Sequence, residues 1–370
     1  MTEAAPRRRQ RVVAVGRLPP PLDGTARVSE VMVAVLAEAG LLTEAINIGP
    51  PDDAGGRNAR LRRLGRALRA CWRLGVLRRR GADTLYMPCD IGLAVGLNVL
   101  VAAAARLLGY RVWLHHHNFS YISRWQAGMA ALVALSPRRT RHIVLCAGMG
   151  AELGVRYGWV WRWRKAAPVL LPNAFMVPAA AGATRPAGPL VIGHLANLSV
   201  AKGTVRFVAL FRRLRLRGVD VIARVAGPVG DAATRQALEA AALEFPGSFR
   251  WGGPLKGAAK RAFYDAIDVF VLPSTSANEA QPLVLLEALA RGAAIVAIDR
   301  GCIGCDHGEA PGAIFPDHRF DDDAERYLAT LPVTMEARDR SAAAALAHLR
   351  RLNADALERL RLLIDEMGDA

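Results

Sequence analysis

The sequence predicts an α/β protein made of two doubly wound, parallel-sheet domains in tandem. Short apolar runs of strand type recur along the chain, each followed by a longer stretch with helical periodicity. The alternation stops once, after Leu171, and restarts at Leu190. At about 150 residues per domain, 370 residues leave room for two complete cores.

Taken in order, Val12-Val13-Ala14-Val15 predicts a strand over 11–16, followed by a helix over 25–39, a strand over 44–48 and a helix over 58–79. A strand over 84–88, a helix over 91–108 and strands over 111–115 and 142–146 continue the pattern. Such alternation builds a parallel sheet covered by helices. Residues 177–189, rich in Ala, Gly, Pro and Thr, have no strong period and read as a linker. Strands then follow over 190–195, 220–226, 249–251, 269–272 and 294–298, separated by helices over 203–216, 232–243, 258–266 and 283–290. One or two closing helices are expected over 335–367. The expected division is a first domain over 1–173, a linker over 174–189, a second domain over 190–345 and a closing helix over 346–370.

Composition excludes a disordered tail and a disulfide mini-domain, since 52% of residues are hydrophobic and 22% charged. The net charge of +16 points to an anionic partner. Only Lys165, Lys202, Lys256 and Lys260 are lysines, so 45 of the 49 cations are arginine and a single Arg carries little information. Five cysteines and no plausible secretory leader fit a reducing cytoplasm. The longest uncharged stretch, 91–105, has 15 residues against the ~20 of a membrane span, and is expected as a buried helix.

The strongest local signal begins at Pro273-Ser274 and runs through Asn278-Glu279-Ala280-Gln281-Pro282 into Leu283-Val284-Leu285-Leu286-Glu287-Ala288-Leu289. It follows a strand and opens a helix, the place where open parallel sheets bind ligands and where free helix-start amides suit phosphate. Glu287 lies in a helix that is apolar nearly all round, so an ionised side chain there needs a partner. A carboxylate holding a pair of sugar hydroxyls is the natural use of both Glu279 and Glu287.

This segment resembles the family 4 retaining glycosyltransferases, which carry a Glu, seven residues, Glu motif. The resemblance extends over most of the chain. Pro19-Pro20-Pro21-Leu22-Asp23-Gly24 is similar to the family's first Pro/Gly loop, and Asn173 to the residue opening its linker. The stretch from Gly193 to Lys202-Gly203 resembles its phosphate-binding strand end, and 266–274 its approach to the glutamates. The resemblance implies a GT-B fold, two Rossmann-like domains with parallel sheets facing across a cleft. It also implies transfer with retention from a nucleotide diphosphate sugar, without an obligatory metal or other cofactor.

Carried over by position, Lys202 neutralises the diphosphate, Glu287 holds the ribose hydroxyls and Glu279 contacts the donor sugar. Gly24, Asn197, Gly203 and the amides of Leu283 and Val284 complete the donor site. Two departures stand out. Asn197 replaces the family's frequent Arg, leaving His194 as the nearby basic candidate, and Ala280-Gln281-Pro282 replaces Gly-aromatic-Gly, with Pro282 lacking an N–H.

His115-His116-His117-Asn118 ends the strand over 111–115, where imidazoles can bond a sugar hydroxyl or phosphate. Zinc is the rival, but alternating directions and the lack of a second His/Cys group of ligand spacing disfavour it. The resemblance places a catalytic His here; His117 is chosen, with His115 on the same side. The lone Cys302-x-x-Cys305 pair reads as incidental, and the Gly148–Gly154 run lacks the acidic ribose partner of a dinucleotide site.

Two basic stretches remain. Arg60 to Arg80 holds nine arginines around Leu61, Leu64, Leu68 and Trp72, with no acid between Asp53 and Asp83, and Trp159 to Lys165 adds aromatics. An anionic membrane leaflet and an ordinary solvated face both account for them. The reading is therefore a cytoplasmic glycosyltransferase, peripheral on the inner face of the plasma membrane. It serves a lipid-linked or polysaccharide acceptor in envelope or exopolysaccharide synthesis and binds no nucleic acid. The alternatives are a nucleotide-sugar epimerase on the same fold, or a basic nucleic-acid-binding or scaffold protein.

Overall fold

The computed structural model describes residues 11–19, 24–49, 57–161, 167–180 and 185–369. It divides into a first unit of Met1–Met176 with Ala356–Ala370 and a second of Val177–Asp355.

The first unit holds β1 (Arg11–Gly16), β2 (Leu42–Asn47), β3 (Ala82–Pro88), β4 (Arg111–His115), β5 (Arg141–Val144) and β6 (Val169–Leu170). They form one sheet of order β2-β1-β3-β4-β5-β6, with every pair parallel. Covered on both faces, β1, β3 and β4 bury nearly all their residues, which is why they read as unbroken apolar runs. Leu360, Leu363 and Met367 complete this unit's core beside Met32, Leu36 and Trp113.

The second unit holds β7 (Leu190–Leu195), β8 (Val221–Ala226), β9 (Phe249–Trp251), β10 (Val269–Leu272), β11 (Ala294–Ile298) and β12 (Gly312–Phe315). Their order is β12-β11-β10-β7-β8-β9, again wholly parallel. The order reverses between β7 and β10, which pair through Val269 with Ile192 and Phe270 with Gly193. A reversal point of this kind opens a crevice at the strands' carboxyl ends.

The expected strands and helices form, and further elements join them, among them β6 and the helices Ala147–Trp161 and Ile303–His307. Residues 116–141, left unassigned above, contain helices Ser120–Ser123 and Ala127–Leu135; the second is apolar on every side and so has no readable period. Edge strand β12 and the helix Phe320–Ala329 are further additions; the strand gives no apolar run because its four residues are half-buried. The Gly148–Gly154 run lies inside the helix Ala147–Trp161 and makes no phosphate-binding turn. The 91–105 stretch becomes a short turn and the helix Val95–Leu107, buried on one face, and no helix among the described residues is long and apolar enough to cross a membrane. The closing segment is one helix, Met335–Gly368.

Candidate functional site

The site is built on the two strands that flank the reversal. After β7 the chain turns at Gly203, in the left-handed region at φ 79°, before the helix Thr204–Leu216. A Cβ at Gly203 would lie 2.0 Å from the Pro273 carbonyl oxygen, so only glycine lets this turn seat against the loop after β10. The amide of Thr275 donates to the Ala201 carbonyl at 2.9 Å and completes the junction.

This approach brings Lys202 to Glu279. The Nζ of Lys202 donates to Oε2 of Glu279 at 2.7 Å, and the Ser274 hydroxyl donates to the same oxygen at 2.8 Å. The Glu279 side chain is 7% exposed, whereas that of Lys202 is 31% exposed and retains access to solvent. The other carboxylate oxygen, Oε1, has no partner among the described residues.

Glu287 also has the partner that its apolar helix demanded. Lys260 Nζ donates to Oε1 at 2.6 Å and the Tyr264 hydroxyl to Oε2 at 2.9 Å. Burial, and then the neighbouring carboxylate, push the Tyr264 phenol well above its ordinary range, so it remains a donor. Lys260 and Tyr264 lie four residues apart on the helix Gly257–Asp265, one above the other on one face. Sequence reasoning missed both, although an i, i+4 Lys/Tyr pair in a chain of four lysines was a usable signal.

The segment between the glutamates is braced from β11. Gly301, at φ 64°, packs so closely that a Cβ would lie 2.5 Å from the Glu279 carbonyl oxygen, and the Cys302 amide donates to the Ala280 carbonyl at 2.8 Å. Gln281 donates its side-chain amide to Asp306, whose carboxyl is pushed up to about 7 by burial. Pro282 caps the helix Leu283–Leu289. Cys305 is a free, exposed thiol. Among the described residues no His, Cys, Asp and Glu group is arranged to hold a metal ion.

His194 is not a second diphosphate cation, as the sequence had allowed. It is fully buried, its Nδ1–H donates to the Val271 carbonyl at 2.9 Å and its Nε2 accepts from the Thr204 hydroxyl at 3.1 Å. Burial lowers it to about 4, so it stays neutral and ties the Thr204 helix to β10. Asn197 is exposed. Gly24 opens the helix Gly24–Glu38 with open space around it, while residues 20–23 of the Pro/Gly loop lie outside the described residues.

In the first unit, the three histidines at the end of β4 split as strand alternation predicts. The His115 and His117 rings lie 3.8 Å apart, while His116 turns away to the Tyr121 hydroxyl at 3.3 Å and to His142 at 3.0 Å. Tyr86 holds Nδ1 of His115 at 2.8 Å. Both ring nitrogens of His117 and Nε2 of His115 are buried without a partner among the described residues. Burial lowers His117 to about 3, so at neutral pH it is an uncharged hydrogen-bonding group.

Residues 181–329, within the second unit, match the family model of glycosyl transferases group 1. No curated protein matches the chain significantly. Sucrose-phosphate synthase of Thermosynechococcus elongatus is 14% identical, at a TM-score of 0.69 over 98% of this chain and 100% of that one. The lipopolysaccharide outer core galactosyltransferase WaaB in its apo form is 12% identical, at 0.65 over 92% and 98%. HepE of Anabaena in complex with UDP and glucose is 13% identical, at 0.65 over 98% and 100%. The chain therefore has the GT-B fold, and residues 181–329 of its second unit are similar to the group 1 glycosyl transferases.

Proposed function

We propose that this chain moves a sugar, with retention, from a nucleotide diphosphate sugar to a hydroxyl of a lipid-linked or polysaccharide acceptor. Its setting is envelope or exopolysaccharide assembly at the inner face of the membrane. The observation that carries the reading is the Lys202–Glu279 pair at the β7/β10 reversal, with one oxygen of a buried carboxylate left open.

In this reading the donor's pyrophosphate draws up to Lys202, a compact cation on a close-packed turn, and to the first amides of the helix beginning at Leu283. Glu279 Oε1 accepts from a hydroxyl of the transferred sugar. Glu287 uses its remaining lone pairs for the ribose hydroxyls while Lys260 and Tyr264 hold it in place. Negative charge grows on the diphosphate as the sugar–oxygen bond breaks, and Lys202 stabilises that charge more in the transition state than before it. The acceptor oxygen bonds to the sugar on the face the diphosphate leaves, and its proton passes to the departing phosphate oxygen. His117, neutral and with both buried nitrogens unpartnered among the described residues, suits a sugar hydroxyl.

The test is acceptor-dependent transfer by the purified protein from UDP, GDP and ADP sugars. UDP-glucose is the first choice, because HepE of Anabaena holds UDP and glucose on this fold. An α-linked product from an α-linked donor is expected. An inverted product, or epimerised donor formed without acceptor, refutes the reading.

A further inference from the structure

We propose that the helix Arg57–Arg79 docks flat on an anionic phospholipid surface, which names the membrane-facing element of the function read above. The helix has two apolar faces. At about 100° per residue, Ala67, Ala70, Leu74 and Leu77 share an arc of about 80°, and all four are buried. Leu61, Leu64, Leu68 and Trp72 share a second arc of about 80° on the far side, and they are 60%, 41%, 53% and 66% exposed. A surface helix needs only one apolar stripe to hold it on its core, so the outer stripe has no use within the unit.

The arginines separate in the same way. Arg63 pairs with Asp90, Arg66 donates to the Gly49 carbonyl and Arg73 forks onto Glu44, so these three fasten the inner side. Arg60 and Arg69 flank the outer stripe and Arg79 continues its line, all exposed and with no ion-pair partner among the described residues. No Asp or Glu occurs anywhere in the helix.

An anionic bilayer satisfies both halves of this face. The leucines and the Trp72 ring enter the boundary between headgroups and acyl chains, while the arginines take lipid phosphates in two-pronged hydrogen bonds. A second copy of the chain fits poorly, because a two-fold contact would set arginine against arginine with no acid to separate them. Nucleic acid fits poorly too, because three exposed leucines offer a phosphate backbone nothing and one Trp is not a stacking platform.

The test is co-sedimentation of the full chain with vesicles of phosphatidylcholine alone and of phosphatidylcholine mixed with phosphatidylglycerol, without donor or acceptor. Binding to the mixed vesicles, weakened by salt and absent from the neutral ones, is expected. The variant Leu61→Ser/Leu68→Ser/Trp72→Ser and the variant Arg60→Gln/Arg69→Gln/Arg79→Gln each lose roughly ten-fold or more in bound fraction, with lipid-free melting temperatures unchanged. Equal binding to both vesicle types, wild-type binding by either variant, concentration-dependent dimers without vesicle binding, or displacement from vesicles by RNA each overturns the proposal. Vesicle binding is read apart from turnover, so an inactive protein that still binds vesicles would count against the activity alone.

Discussion

Lys202 and Glu279 stand 77 residues apart and meet at 2.7 Å because Gly203 lets the turn after β7 close on the Pro273 carbonyl after β10. One backbone approach thus places the cation and the carboxylate together. It also explains why the pair need not rely on long, mobile side chains crossing open solvent.

Removing the cation strands the carboxylate. Lys202→Met leaves Glu279 buried with only Ser274 as a partner, which costs roughly 1–3 kcal/mol, held down by the partial exposure of Lys202. Glu279→Gln, which keeps a hydrogen-bonding group and loses the charge, is expected to destabilise less than Lys202→Met. Both variants lose transfer. Denaturant unfolding beside a single-turnover assay checks the order, and a Lys202→Met protein with full turnover would break the assignment.

Gly203→Ala puts a methyl group into the Pro273 carbonyl and demands a left-handed alanine. It should cost roughly 2–4 kcal/mol, whereas Gly24→Ala, with nothing within 4 Å of the added carbon, should leave stability nearly unchanged. Paired urea melts measure the contrast.

Lys260 and Tyr264 act through Glu287. Lys260→Met is expected to weaken nucleoside diphosphate binding about ten-fold and Tyr264→Phe by less, since the phenol supplies one neutral hydrogen bond and the lysine a charged one. Calorimetric titration reads both. Unchanged affinity in both variants would mean that Glu287 does not hold the ligand.

Acid should open the first unit before the second. Burial lowers His116 and His117 to about 3, and His115 is also lowered, against an unfolded value near 6.5. Below pH 6.5 the unfolded chain binds protons that the folded unit refuses, so stability is lost as pH falls, on the order of 1–2 kcal/mol per buried histidine by pH 5. The second unit has His194 at about 4 and His307 at about 3, but Asp306 opposes them. Its folded value of about 7 lies above the unfolded 3.8, so its penalty is fully present above pH 7 and is relieved as pH falls towards 4. Hydrogen exchange at pH 5 and 7.5 should show β3 and β4 losing protection more than β7 and β10; the reverse order contradicts the assignment.

Much of the fold was legible because its central strands are buried on both faces and stand out as runs such as Val269-Phe270-Val271-Leu272. The helix Ala127–Leu135 was not, because a uniformly apolar helix hides its period, and β12 was not, because a short half-buried edge strand lacks both signals. The loop that follows a strand and opens a helix marked Glu279 and Glu287, and the family resemblance marked Lys202. What spacing could not supply was their pairing: that Lys202 serves Glu279 and Lys260 serves Glu287 depends on which helices the sheet order sets side by side. The retirement of His194 to a neutral tie is of the same kind, since a histidine's charge depends on burial that a single strand's sequence does not report.

The central claim is that the turn and loop at the β7/β10 reversal grip a nucleoside diphosphate. The most direct measurement is thermal shift of the wild type, Lys202→Ala and Glu287→Ala with UDP, GDP and ADP. A ligand that binds only the folded state raises its melting temperature by mass action. One of the three diphosphates is expected to raise the wild-type melting temperature, and the shift to collapse in both variants. An equal shift in all three proteins, or none with any diphosphate, would contradict it.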